Sequence, residues 1–329
     1  MQNMIVIPSK SRYELMLERL GSEDASRRYF GQTEVWEYIL SSYHAQRESL
    51  EHIKHACERY SIPFIDRSCL TPDVIGAHDT FVFAGGDNHF TYCAQEVLQY
   101  QCAGRSNATT LDGGRKKVLG VVLDSTKSLG ALLQATPDAF IDALPRLLRG
   151  DYAVQSWTSL EARVRSDGNV AVPHPAVGEY FIGEEMRADM SRNRAYIDGT
   201  RVLLEKGSGI LAVTGAGAGD GSWYDTNHVL MYGEPDVLGR EERMVHAIVT
   251  ENKRASNRPV VSSGTGSEDA KGLRGKITLH PGQTLTIYSY NDHRGVILPD
   301  SHPEHSVPFM IGAVAEVSIA RLPLHVITP

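Results

Sequence analysis

The period of apolar and polar positions changes about halfway along this chain. Met4-Ile-Val-Ile7 is a short continuous apolar run stopped by Pro8, which predicts a first buried parallel strand. A helix is expected from Ser11, and a long one from Thr33 with Trp36, Ile39, Leu40 and Tyr43 along one side as a packing stripe. Leu50, Ile53, Cys57 and Tyr60 continue the helical spacing. The helix must stop near Ser61, because Pro63 disfavours helical geometry in the residue before it. Phe64-Ile65, Thr80-Phe-Val-Phe-Ala84 and Val118-Leu-Gly-Val-Val-Leu123 read as further strands. Helical connections between such strands imply a doubly wound parallel sheet. Thr136-Pro137-Asp138 starts another helix, with an N-cap threonine, proline at N1 and an acid in the first turn. That helix ends by Gly150, with a kink expected at Pro145.

Beyond Gly150 the period is two. Leu160, Ala162 and Val164 alternate with Glu161, Arg163 and Arg165, and Asp167-Gly168 supplies a turn. Ala195-Tyr-Ile and Arg201-Val-Leu-Leu flank Asp198-Gly199, a hairpin signal. Lys276 to Leu298 reads as more strands around Pro281-Gly282. This half is mostly antiparallel, so a domain boundary falls near Gly150. The polar, small residues between Glu251 and Gly272 read as a mobile loop.

Length and charge narrow the function classes. The 329 residues are enough for two domains with proper cores, and 33 Lys and Arg against 40 Asp and Glu leave a net charge of −7. Such a chain carries no field that recruits nucleic acid or an anionic membrane. The apolar stretch Pro308 to Ala320 contains Glu316 and is too short to span a bilayer. The start lacks the basic and apolar regions of a secretory leader, so a soluble cytoplasmic protein is expected. Cys57, Cys69, Cys93 and Cys102 have no C-x-x-C spacing and read as free thiols.

The most informative segment is Thr80-Phe-Val-Phe-Ala-Gly-Gly-Asp-Asn-His-Phe90, a hydrophobic strand running into Gly85-Gly86-Asp87 before a helix-compatible stretch. Two glycines let backbone approach a ligand closely, and the amides at the following helix start suit phosphate. Asp87 would then lie at the cleft, where a carboxylate accepts a proton from a substrate hydroxyl. The same residues also suit a tight turn with an N-capping aspartate. A second cluster, Thr214-Gly-Ala-Gly-Ala-Gly-Asp-Gly-Ser-Trp-Tyr224, has alternating glycines and no true G-x-G-x-x-G, so a Rossmann fingerprint is rejected while a backbone-lined nucleotide loop stays open. His302-Pro-Glu-His305 has two histidines three apart beside a carboxylate, but without a defined helix it reads as a solvated loop, and no metal site is assigned.

Taken in order, these segments resemble the NAD kinase family, in particular its mitochondrial type. Gly85-Gly86-Asp87 looks like the start of the family's Gly-Gly-Asp-Gly-Thr motif. Val118 to Gly130 is similar to the strand reading G-V-N-T-D-P-x-x-S-x-G, and Ala176-Val-Gly-Glu-Tyr-Phe-Ile-Gly-Glu184 to A-L-N-E-V-F-I-G-E. Lys206 to Gly217 resembles the segment ending in T-G-T-G-S, and Ser11-Arg-Tyr-Glu the mitochondrial type's T-R-Y-E. Asn88-His89 stands in place of Gly-Thr, Gly178 in place of asparagine, Val122 in place of the asparagine of G-V-N, and Pro299-Asp300 where the family usually has Asp-Gly. Two extra residues interrupt the T-G-T-G-S loop.

The resemblance implies an N-terminal doubly wound α/β domain over residues 1–147 and a β-sandwich-like domain over 148–308. The C-terminal segment, 309–329, would return to the first domain, which also fits the apolar composition of Phe309 to Ile319. It further implies phosphoryl transfer from ATP, with Mg2+, to the 2′-hydroxyl of the adenosine ribose of NAD. Asp87 would be the base, with Gly85, Gly86, Asn88 and His89 around the phosphates and His89 able to add positive charge if protonated. Thr214, Gly215 and Gly217 would line the nucleotide pocket, and Glu179, Asp124 and Ser128 would bind the acceptor. A homodimer is expected. Two alternatives stay open: a kinase of the same fold acting on a nucleoside, sugar or lipid, and a nucleotide-binding homologue without catalysis.

Overall fold

The computed structural model describes residues 3–31, 33–104, 115–186, 189–203, 206–219, 222–251 and 275–329. The expected loop between Glu251 and Gly272 lies almost wholly outside these residues. The chain divides into two compact units, one of residues 1–155 and 325–329 and the other of residues 156–324.

In the first unit, strands β1 (Met4–Pro8), β2 (Thr80–Gly85) and β3 (Lys117–Val122) pair in parallel. Helices α1 (Arg12–Leu20), α2 (Glu23–Phe30), α3 (Thr33–Glu58) and α4 (Pro72–Ala77) lie between β1 and β2 in the chain. Helix α5 (Asp87–Gly104) follows β2, and α6 (Pro137–Arg149) leads to β4 (Ala153–Trp157). Side chains of β2 alternate between faces. Val82 and Ala84 pack in one core with Ile53 and Cys57 of α3 and Phe140, Ala143 and Leu147 of α6. On α5, Phe90 meets the Phe83 ring edge-on at 5.9 Å. Helices therefore cover both faces, which is why every residue of β2 is buried.

The sequence signals for α1 and α6 act as expected. Ser11 and Glu14 form a capping box, and Thr136 caps α6 through the Ala139 amide. Pro145 lies inside α6, on its exposed side, and the helix continues to Arg149. Phe64-Ile65 is not a strand. Only Phe64 bridges Val6, because the 3-10 turn Arg67–Cys69, capped by Asp66, bends the chain away.

The second unit holds β5 (Leu160–Ser166), β6 (Asn169–Ala171), β7 (Glu179–Glu184), β8 (Ser191–Ile197), β9 (Thr200–Arg201), β10 (Lys206–Gly207), β11 (Gly209–Val213) and α7 (Trp223–Tyr232). It continues with β12 (Val245–Thr250), β13 (Lys276–Leu279), β14 (Thr284–Ser289), β15 (Gly295–Pro299), β16 (Val307–Pro308) and β17 (Val314–Ile319). They make two antiparallel sheets, ordered β10-β8-β14-β17-β5-β6 with β9 beside β8, and β13-β12-β11-β7-β15-β16. One core, including Leu160, Val164, Tyr180, Ile210, Ile287 and Val317, joins the two as a sandwich.

The alternation of β5 follows from its second face being solvated. The unbroken apolar run of β11 follows from α7 covering the far face of its sheet, where Phe181, Leu211, Val213 and Tyr224 cluster. Asp167-Gly168 and Asp198-Gly199 turn their hairpins with positive φ at both residues.

The C-terminal segment divides at Ala320. Val314–Ile319 pairs with β5 and β14 in the sandwich, and only β18 (Leu324–Thr328) joins the parallel sheet, ordered β1-β2-β3-β18-β4. The expected return from residue 309 is thus confined to the last strand. Phe309 is apolar because it fills the sandwich core.

Candidate functional site

In the first unit the candidate site is the turn between β2 and α5. Six buried residues end at Gly85, and Gly86 already accepts the first helical hydrogen bond, from the Phe90 amide at 3.0 Å. The first-turn amides of α5 therefore sit at the carboxyl end of a central strand, a geometry suited to anions. The two glycines differ. A Cβ on Gly85 would lie 2.6 Å from Ser9 Oγ and 2.8 Å from Ser9 Cβ, so glycine there serves packing. A Cβ on Gly86 would meet only Ser128 Oγ, at 3.8 Å, so its surroundings are open.

Asp87 is half-buried, and each carboxylate oxygen accepts one amide proton from the loop after β3. Leu132 N–H donates to Oδ1 at 2.8 Å and Ala131 N–H to Oδ2 at 3.0 Å. A carboxylate offers about four acceptor positions, so each oxygen retains one. Asn88 is exposed on the turn, and Ser128 lies beside Gly86.

Two expected ligands are directed elsewhere. His89 is buried, its Nε2 2.9 Å from the Ile7 carbonyl oxygen and its ring beside Cys93 Sγ. Burial pushes its pKa down to about 4 although the Ile7 carbonyl favours the protonated form. A neutral ring donating Nε2–H to Ile7 presents only an acceptor nitrogen, so His89 supplies no positive charge to a phosphate.

Asp124 is engaged within its own unit. Ser42 Oγ donates to its Oδ2 at 2.6 Å, and the Thr126 amide and hydroxyl donate to its Oδ1 at 3.1 and 2.6 Å. Burial acts to raise its pKa, but these hydrogen bonds outweigh it and hold the carboxyl below its usual value. Asp124 thereby anchors the loop after β3 to α3.

In the second unit, Val177-Gly178-Glu179 enters β7 between two residues from elsewhere in the chain. The Asp300 carboxylate accepts the amides of Val177 at 2.7 Å, Gly178 at 2.7 Å and Glu179 at 2.8 Å. Thr214 Oγ1 donates to the Val177 carbonyl at 2.7 Å, and the Thr214 amide to the Gly178 carbonyl at 2.8 Å. Thr214 also starts the glycine loop, its carbonyl accepting the Gly217 and Ala218 amides.

Gly215 and Gly217 are required by close backbone crossings. A Cβ on Gly215 would lie 2.6 Å from Arg240 N, and one on Gly217 2.7 Å from the Gly178 carbonyl carbon. Both are expected pocket residues, and packing accounts for the glycine at each. Asp300 is the residue that sequence reasoning missed. Its signal was the departure at Pro299-Asp300.

Helix α7 follows the glycine loop and is held by a part-buried polar cluster. Asp236 Oδ2 accepts from Tyr224 Oη, from Lys276 Nζ at 2.6 Å and from His246 Nδ1 at 2.5 Å. Burial acts to raise the Asp236 carboxyl, yet the hydrogen bonds from Lys276 and Tyr224, with His246 nearby, hold it at about 2.

No family model matches the sequence. An NAD kinase of Hydrogenovibrio crunogenus is 25% identical over 207 residues, covering 63% of this chain and 61% of that protein. An NAD kinase of Photobacterium profundum is 22% identical, covering 69% and 73%, and one of Shewanella halifaxensis is 29% identical, covering 43% and 40%. The chain thus spans about three-fifths of the first relative's length.

Among solved structures, an NAD kinase from Archaeoglobus fulgidus in complex with ATP superimposes with a TM-score of 0.59 at 12% identity, over 98% of this chain and 92% of that one. Yeast NADH kinase complexed with NADH gives 0.61 at 12% identity, over 100% and 84%. At that identity the structures speak for the fold. The sequence relatives and the structures agree in what this chain is similar to: NAD kinases, whose fold it shares.

Proposed function

We propose that the chain is an ATP-dependent kinase that phosphorylates NAD on the 2′-hydroxyl of its adenosine ribose, giving NADP. The observation that carries this reading is the Gly86–Asp87 turn: an open glycine and a pinned carboxylate at the end of a buried strand. Phosphoryl transfer needs in-line positioning, charge neutralisation and an oriented hydroxyl more than covalent chemistry from the protein. Asp87 accepts the hydroxyl proton on a remaining lone pair. Gly86 and the first-turn amides of α5, with Asn88, receive phosphate, and Ser128 beside Gly86 binds the acceptor. Glu179 binds an acceptor hydroxyl. Mg2+ enters as part of the nucleotide substrate. The archaeal NAD kinase in complex with ATP supports ATP as donor, and the yeast NADH kinase complexed with NADH supports a nicotinamide dinucleotide as acceptor. A cytoplasmic homodimer serving NADP synthesis belongs to the same reading.

A second reading keeps the chemistry and changes the acceptor. It is favoured by Gly178, which offers no side-chain hydrogen bond where the family has asparagine, and by the inward-turned His89. Initial rates with MgATP and equal concentrations of NAD, NADH and a nucleoside panel separate the two. Ordinary efficiency with NAD alone supports the first reading, and a nucleoside or sugar outperforming NAD supports the second. Tight nucleotide binding without ATP consumption would overturn both in favour of a non-catalytic homologue.

A further inference from the structure

We propose that Asp300 is a positioning residue for acceptor binding, fixing the direction in which Glu179 leaves the Val177–Glu179 turn. The inference rests on the reading of Glu179 as the contact to an acceptor hydroxyl. Val177, Gly178 and Glu179 carry three amides and three carbonyls, and two residues meet them all. Asp300 takes the three amides on its carboxylate and donates its own amide to the Glu179 carbonyl at 2.8 Å. Thr214 takes the other two carbonyls. Both backbone groups of Glu179 are therefore gripped by Asp300.

The backbone at Asp300 and Ser301 is itself unusual, with φ of +44° and +62° at two successive non-glycine residues. Side chains disfavour this region, and it persists where the surroundings over-determine it, commonly at functional sites. The neighbouring β15–β7 pairing holds Pro299 opposite Tyr180, so the clamp is continuous with the sheet. A turn whose polar groups are all committed has little freedom to re-aim the side chain that follows. That is the preorganisation a hydroxyl-binding carboxylate needs.

The test compares Asp300→Asn, Asp300→Glu, Glu179→Gln and the double variant Asp300→Asn/Glu179→Gln, reading KM for NAD, KM for MgATP and NAD affinity by calorimetry. Asp300→Asn replaces one oxygen by a donor that faces the Val177 amide. It is expected to raise the KM and Kd for NAD at least tenfold while KM for MgATP stays within twofold. The double variant should be no worse than the weaker single one, since both act through one side chain. A merely structural role would lower the active fraction and leave KM for NAD unchanged. If Glu179→Gln weakens NAD and a folded Asp300→Asn does not, the positioning role is overturned. If Glu179→Gln has no effect, the reading of Glu179 falls and the proposal with it. Asp300→Glu keeps the charge and reaches the three amides only from a shifted backbone, so it should raise KM for NAD about fivefold. A folded Asp300→Glu with wild-type KM overturns the proposal however Asp300→Asn folds.

Discussion

Gly217 crosses Gly178 so closely that a Cβ on Gly217 would sit 2.7 Å from the Gly178 carbonyl carbon and 3.1 Å from its Cα. Both obstacles are backbone, which cannot rotate aside. Gly217→Ala is therefore expected to destabilise the second unit by about 1–3 kcal/mol, the usual cost of overpacking, seen as a lower Tm or urea midpoint. Restoring the family's asparagine, Gly178→Asn, meets Asp300 Oδ1 at 3.1 Å and the Gly217 amide nitrogen at 3.3 Å, and should cost less. Equal stability of Gly217→Ala and wild type would show that the crossing is looser than described.

That crossing marks the limit of what the sequence discloses. The β2–Gly85–Gly86–Asp87 turn is legible because an apolar run ending in glycines and an acid is a local signal, as are the caps of α1 and α6. The clamp on Glu179 is not, because Asp300 lies more than 120 residues from the amides it binds and adopts a conformation more usual for glycine. The orientation of His89 was partly legible. It shares the helical stripe of Cys93 and Val97, all buried on α5, which is the pattern of a core face and not of a phosphate ligand. Phe309 misled for a similar reason, since apolar composition reports burial without saying in which core.

Asp87→Asn tests the proposed base. The variant loses the proton acceptor, and turnover at saturating MgATP and NAD should fall by roughly 10²–10⁴-fold. Its amide nitrogen would also face one of the two loop amides that the carboxylate oxygens now satisfy. An unpaired donor of this kind costs about 1–3 kcal/mol, so a lower Tm should accompany the loss. Affinity for MgATP is expected to stay within a few-fold. Near wild-type turnover would remove Asp87 from the chemistry.

Stability should fall in mild acid, and His89 is a main cause. Burial depresses its pKa from 6.5 to about 4, so between these values the unfolded chain binds a proton that the folded chain refuses. The contribution is fully present above pH 6.5 and is lost as pH falls toward 4, amounting to about 3 kcal/mol over the window. His246 and His325 are depressed in the same direction, also chiefly by burial, and add to the slope. Urea unfolding of wild type and His89→Gln at pH 7.0 and at about pH 4.5 measures the difference. The variant, which retains a donor for the Ile7 carbonyl, should lose distinctly less stability on acidification. Parallel losses in the two proteins would exclude His89 as a source.

The two glycines before Asp87 should separate folding from function. At Gly85 an added methyl meets Ser9 Oγ at 2.6 Å and Ser9 Cβ at 2.8 Å, and the serine is held by its amide on the Ala84 carbonyl at 2.8 Å. Gly85→Ala must shift β1 against β2, and its Tm should fall by several degrees, corresponding to about 1–3 kcal/mol. At Gly86 the same methyl reaches only Ser128 Oγ, at 3.8 Å, an ordinary contact. Gly86→Ala should therefore fold with a Tm within about two degrees of wild type. If phosphate approaches the backbone at this turn, the methyl occupies the space it needs, and KM for MgATP should rise at least tenfold. A Gly86→Ala protein with wild-type stability and wild-type KM for MgATP would mean that the donor phosphates lie elsewhere and that the turn only starts a helix.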